Sequence, residues 1–349
     1  MTAQQPYLRR SGTLMLWAVG AGKPLGVPPL TNDTGGAAVV VAESADALDR
    51  AAAHGVVDES TRLFVRDDVA HATSSTIASA ATTFQGRFDA VGTEVRMGDT
   101  FRLQVQSYAV SEFLSIVGPT LIRITDADDL ATLVADAESC VVDGVFPDFL
   151  TNPAVQLADI PAISGDGLDQ SGPANRLWLG EDAVSTSPWG APLDGPRLAD
   201  LHRHWSELNA HAPHRDAVAL AKAVPTAEGD AILERPDELR RFLTAVSAVR
   251  ALRARGMQHV CVSGYGMRVN DALAPHAHGS PRAVTIAVSD DAHFLVDTDT
   301  GRAFGVSPAF ASAADALLTV GSVNDAAEFS PREQVVAVAD LLAGAGVAL

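Results

Sequence analysis

The sequence predicts a mixed chain, α/β towards its N-terminal end and α+β towards its C-terminal end, and three observations carry this. Over the first 150 residues short apolar runs alternate with helical patterns, as in "GAAVVVAES" followed by "ADALDRAAAHG" and "TRLFVRDD". Hairpin patterns interrupt that alternation, so the sheet is expected to be mixed rather than purely parallel. Beyond residue 282 three strand patterns precede a helix and a capped final helix. The expected organisation is an α/β domain over 1–150, a Pro/Gly-rich connection with a helix over 151–235, and a three-stranded sheet with helices within 236–349, its core at 282–349.

Taken in order, "MTAQQPYLRRSGTLMLWAVGAG" reads as a first strand at Leu14–Val19, because that apolar stretch is shorter than the roughly 7–15 residues of a secretory signal core. "TEVRMGDTFRLQVQSYAV" reads as an antiparallel hairpin turning at Gly98-Asp99. "TLIRIT" adds a strand, and Asp126 is then placed to cap a helix with Leu130, Leu133 and Val134 on one face. From Phe146 to Pro196 proline and glycine are frequent and no period persists; "NRLWLGE" is a strand pattern in its midst, with Trp178 and Trp189 placed to pin the segment onto a neighbour. Helical patterns return at "RLADLHRHWSELNAHA" and at "PDELRRFLTAVSAVRALRARG", which opens on Pro236 and ends at Gly256. "QHVCVSGYGMRVN", a loop and three strand patterns follow. In the tail, Ser330, Pro331 and Glu333 form a capping-box signature, and Val335, Val338, Leu341 and Leu342 share one helix face. No internal repeat is evident.

Composition narrows the function classes. Of 349 residues 47% are hydrophobic, enough for sizeable cores, and Lys+Arg 25 against Asp+Glu 43 gives a formal charge of -18. Such a chain repels a phosphate backbone, and Arg240, Arg241, Arg250, Arg253 and Arg255 fall at helical spacing among leucine and alanine, as on a solvated face; no nucleic-acid partner is expected. Cys140 and Cys261, far apart, build neither a disulfide framework nor a zinc ribbon, and a reducing, cytoplasmic setting fits. No apolar run approaches the roughly 20 residues of a membrane span, so no membrane partner is expected.

Familiar catalytic signatures do not survive inspection. In "AVGAGKPLG" the spacing of Gly20, Gly22 and Gly26 is not that of a dinucleotide loop, Pro24 stands where free N–H groups are needed, and Lys23 is followed by that proline. Ser263 beside Gly264 and Gly266 is not a nucleophile elbow; it suits a strand bulge or close backbone packing. Asp290-Asp291 reads as turn chemistry. His202, His204, His211 and His214 form the densest histidine group, which His276 and His278 could join, but residues two apart on a helix face different ways and H-E-x-x-H is absent. No cofactor is expected.

The pieces "LVDTDTGRAFGVSPAFASAADALL" and "VVAVADLLAGAGVAL" resemble the RiPP recognition element, a small winged-helix-like domain typified by the peptide chaperone of pyrroloquinoline quinone biosynthesis. In that family a strand with a "dtG" turn is followed by a strand, an alanine-rich helix, a second helix and a closing helix; here "GSVNDAAEF" fills the place of the second helix. Size and layout also resemble recognition proteins of daptide-type peptide biosynthesis. The resemblance implies a non-catalytic protein that binds the leader of a precursor peptide and presents it to a dehydrogenase, an aminotransferase and a methyltransferase. The leader would add a strand in the groove between Arg302–Val306 and the last helix, Glu333–Leu342, touching Arg302, Phe304, Val306, Gln334, Val338 and Leu341. Two other readings stay open: these residues form an ordinary sheet-and-helix core, or the chain is a metal-dependent enzyme using the histidines from His202 to His214.

Overall fold

Leu14–Val19, expected as a strand, is the end of a helix, α1 (Gln4–Val19). Leu14, Leu16, Trp17, Ala18 and Val19 are all buried. With apolar residues on every side, the helical period disappears from the sequence, and a short apolar run does not distinguish the two states.

In the computed structural model, which describes residues 4–20, 36–74, 76, 80–274, 284–289, 292–298 and 301–344, the chain forms two compact units. Unit one is Met1–Thr132 with Ala154–Glu234, and unit two is Leu133–Pro153 with Arg235–Leu349. After α1 come β1 (Val39–Ala42), α2 (Ala45–Ala53), β2 (Arg62–Arg66), α3 (Asp67–Ala72), β3 (Thr82–Phe84), β4 (Thr93–Met97), β5 (Phe101–Ser107), α4 (Tyr108–Ser111) and β6 (Thr120–Arg123). The chain leaves unit one within α5 (Ala127–Asp143), capped as expected where Asp126 Oδ1 accepts from Asp129 N at 2.9 Å; α6 (Asp148–Thr151) follows. It returns with β7 (Val155–Leu157), α7 (Ile160–Ser164), β8 (Arg176–Leu179), β9 (Val184–Ser185), α8 (Leu198–Asn209) and α9 (Thr226–Ile232).

Unit one contains two sheets among its described residues. One has the order β3-β2-β1-β8-β9, parallel except for β9, and the other the order β4-β5-β6-β7, with the expected β4–β5 hairpin antiparallel and the rest parallel. Val39 and Val41 of β1 join a core with α1 and with Val95, Leu103, Val105 and Leu121 of the second sheet. Val40 and Ala42 point the other way, onto Leu48 of α2 and Leu201 of α8. This two-sided burial makes β1 a continuous apolar run rather than an alternating one. The segment expected as a connection thus supplies β7, β8 and β9. Strands of two to four residues are too short to write a period, which is why only "NRLWLGE" stood out.

Unit two continues with α10 (Pro236–Arg253), β10 (Val260–Val262), β11 (Val284–Ser289), β12 (Ala292–Asp297), β13 (Arg302–Val306), α11 (Pro308–Val320), α12 (Val323–Ala326) and α13 (Arg332–Gly344). Its sheet is antiparallel in the order β10-β11-β12-β13, so Val260–Val262 adds a fourth strand to the three expected. The segment "GSVNDAAEF" forms the one-turn α12, opened by Ser322 Oγ accepting from Asp325 N at 3.1 Å. Ile286 and Leu295 pack with Ala311, Ala313, Ala314, Ala316 and Leu317 of α11 and with Val335, Val338 and Leu342 of α13. The alanines leave room for α11 to lie close to both sheet and helix. The fold is mixed α/β in the larger unit and an antiparallel sheet with helices in the smaller. No helix among the described residues is long and apolar enough to cross a membrane.

Candidate functional site

Strand β13 is the last in its sheet, and among the described residues no strand lies beyond it. Its register pairs Leu295 with Phe304, Asp297 with Arg302 and His293 with Val306. Residues opposite one another share a face, so Phe304 lies on the same side as buried Leu295, yet at the sheet margin it is 51% exposed. Arg302 is exposed as well, whereas Val306 is half-buried against the core. The residues Asp299 and Thr300 of the expected turn lie outside the described residues; Gly301 adopts φ 65° and its carbonyl accepts from Arg255 Nη2 at 2.7 Å.

The predicted contacts on α13 separate into two groups. Val335, Val338 and Leu342 form its buried face, with Val338 completely inaccessible. Val338 is therefore a core residue, and the expectation that it touches a peptide is corrected: one helical turn carries it towards α11. Leu341 is 49% exposed and Gln334 is half-buried, seven residues apart and so on one stripe at the border of that face.

Ser263 has a structural partner. Its hydroxyl donates to Asp315 Oδ2 of α11 at 2.8 Å, while Arg268 Nη1 donates to Asp315 Oδ1 and Asn270 N to Oδ2, each at 3.0 Å. A Cβ on Gly266 would fall 2.6 Å from Gly144 N, which is the close backbone packing that glycine permits. Of the histidines, His202 stacks on Trp205 with centroids 5.7 Å apart, and His204 Nδ1 accepts from Asp194 N at 2.9 Å. Among the described residues no three His, Cys, Asp or Glu side chains, His211 and His214 included, come together as metal ligands; His276, His278, Asp290 and Asp291 lie outside those residues.

Unit one holds polar chemistry that sequence patterns did not reveal. Asp159, after β7, has φ 53°, and Arg123, Asp159 and Arg176 are each 1% exposed. Asp159 Oδ2 accepts from Arg123 Nη1 at 2.8 Å and from Ser187 Oγ at 3.1 Å; its Oδ1 accepts from Arg176 Nη1 at 2.9 Å. Arg176 Nη1 also donates to Trp17 O at 2.9 Å, near the C-terminal end of α1, where the helix dipole favours a cation. Burial lowers the Arg123 pKa, opposed by the Asp159 charge.

At the carboxyl ends of the first sheet stands Glu43, just after β1. β2 lies on one side of β1 and β8 on the other, the arrangement at which open α/β sheets bind ligands. Glu43 Oε1 accepts from Phe88 N at 2.8 Å, and Oε2, without a hydrogen bond, lies 3.7 Å from Arg66 Nη1. Burial pushes its carboxyl up from 4.5 to about 7 against the Phe88 bond, so it can hold or release a proton near neutrality. A third buried acid, Asp216, accepts from Trp205 Nε1 at 3.1 Å and Asn209 Nδ2 at 3.2 Å; burial raises its pKa although the Arg176 charge opposes this.

These features define a two-unit mixed α/β protein with β13 as the last described strand of its sheet in one unit and a buried charged centre in the other. No protein-family model matches the sequence, and neither the curated proteins nor the solved structures give a match.

Proposed function

We propose that the protein is a non-catalytic recognition protein that binds the leader of a ribosomally made precursor peptide by strand addition at β13. The observation that carries this reading is the position of β13 at the margin of its sheet with Phe304 half-exposed beside the core. An edge strand offers main-chain donors and acceptors to an extended peptide, and pockets for alternate side chains supply specificity. In this reading the leader touches Arg302, Phe304 and Val306 of β13 and Gln334 and Leu341 of α13. The modifying enzymes, a dehydrogenase, an aminotransferase and a methyltransferase, dock on unit one, where Val110, Phe113, Leu114 and Val117 make an exposed apolar run of the kind that marks interaction surfaces. The free thiols of Cys140 and Cys261 suit a reducing cytoplasm.

The test is a fluorescence-anisotropy titration of labelled leader peptides, encoded beside the gene, with the full chain. Low-micromolar or tighter binding is expected, and none at tens of micromolar would overturn the reading. Phe304→Ala and Leu341→Ala are each expected to weaken binding about tenfold, as for an interface anchor worth more than 1 kcal/mol, with unchanged circular dichroism because both side chains are half-exposed.

A further inference from the structure

The two arginines of the buried centre use little of their hydrogen-bonding capacity. Each engages Asp159 through Nη1 alone, and Nε and Nη2 of both Arg123 and Arg176 have no hydrogen-bond partner. That unused edge is the one on which a guanidinium presents two parallel N–H groups to an oxyanion. In the same unit Arg66 places it on Asp68 at 2.6 and 2.9 Å, and Arg87 places it on Asp89 at 2.8 and 2.6 Å. Arg123 and Arg176 therefore each keep this edge without a hydrogen-bond partner.

The charge balance points the same way. Two buried guanidinium groups share a single hydrogen-bonded carboxylate, Asp159. The neighbouring acids, Glu43 and Asp216, are both shifted by burial towards their neutral forms, and Arg66 near Glu43 adds a further cation. Buried charge without compensation is strongly unfavourable. Ser185 Oγ, Thr186 Oγ1 and Trp189 Nε1, from the stretch around Ser187, are buried without hydrogen-bond partners as well. Against the unpartnered acceptors Glu43 Oε2 and Asp216 Oδ2 stand four guanidinium nitrogens and Trp189 Nε1, while the two hydroxyls can serve either way; the surplus is of donors, and an acceptor-rich anion would satisfy it. One carboxylate has two oxygens, enough for one fork; a tetrahedral oxyanion has oxygens enough for two.

We propose that Arg123 and Arg176, set by Asp159, form a binding site for a phosphoryl group, that of inorganic phosphate or of a phosphorylated small molecule. The open nitrogens are shut off from solvent, so the anion enters only when the site opens and exchanges slowly. A Cβ on Gly20 would lie 2.9 Å from Arg176 Cζ, so this glycine lets the end of α1 close onto the guanidinium.

The test uses the full chain, prepared without phosphate or sulfate, refolded if needed to strip bound anion. Inorganic phosphate at a hundred times its Kd is expected to raise the Tm of unit one by about 5 °C over chloride at equal ionic strength. A crystal soaked with tungstate should show one anomalous peak within hydrogen-bond distance of both arginines. Arg123→Lys and Arg176→Lys keep the charge and lose the fork, and each should weaken phosphate binding at least about tenfold. Tighter binding of a phosphate monoester than of inorganic phosphate would assign the site to a metabolite, and the reverse to the free ion. No stabilisation beyond chloride together with no anomalous peak would overturn the proposal, and this wild-type outcome is decisive even where the variants fail to fold.

Discussion

Asp159→Ala is expected to lower the stability of unit one by about 3–5 kcal/mol, the range for removing one partner of a buried ion pair. Asp159 faces two guanidinium groups at 2.8 and 2.9 Å, all three residues being 1% exposed, so its loss strands two charges that water cannot reach. Backbone conformation adds a smaller penalty, because alanine at φ 53° pays the roughly 1–2 kcal/mol left-handed cost that aspartate partly offsets and glycine avoids. Asp159→Gly isolates the electrostatic part, and Asp159→Asn, which keeps an acceptor oxygen and tolerates this conformation, should be the mildest. Urea unfolding followed by tryptophan fluorescence measures the effect in the right unit, since all four tryptophans, Trp17, Trp178, Trp189 and Trp205, lie in unit one. A loss under 1 kcal/mol for both Ala and Gly would show that the triad does not hold the unit together.

Glu43→Gln is expected to become progressively more stable than the wild type as pH rises from 4.5 to about 7.5. The folded-state pKa of Glu43 is raised from 4.5 to about 7, chiefly by burial. Between those values the native state binds more protons than the unfolded chain, so stability falls as pH rises through this window and the contribution is fully present only below the unfolded value. The shift corresponds to about 3 kcal/mol. Glutamine carries no such titration, and Asp216, shifted in the same direction, cancels in the comparison. Paired unfolding curves at several pH values read the difference; a difference that does not change with pH would mean that Glu43 does not titrate in this window.

Local chemistry made much of the fold legible. Gly98-Asp99 between alternating runs marked the β4–β5 hairpin, Asp126 marked the start of α5, and Ser307-Pro308 begins α11, where Ser307 Oγ accepts from Phe310 N at 3.3 Å. The errors arose where burial removed the pattern. In the last turns of α1, Leu14–Val19 are apolar at every position, so no amphipathic stripe is left to read there. In α13 the apolar spacing marks a helix but makes Val338 and Leu341 equivalent, because sequence spacing does not say how wide a face the neighbour covers; α11 covers Val338 and leaves Leu341 half open.

The chain's order of turn residues, caps and apolar runs was enough to set its class, its final strands and helices, and the place of β13 just before an alanine-rich helix. These are short-range properties, written in neighbouring residues. Tertiary contact alone brought together Arg123, Asp159 and Arg176, separated by 36 and 17 positions, and made Glu43 an acid that titrates near neutrality. Desolvation and ion pairing depend on which distant strands enclose a side chain, and no local spacing encodes that enclosure.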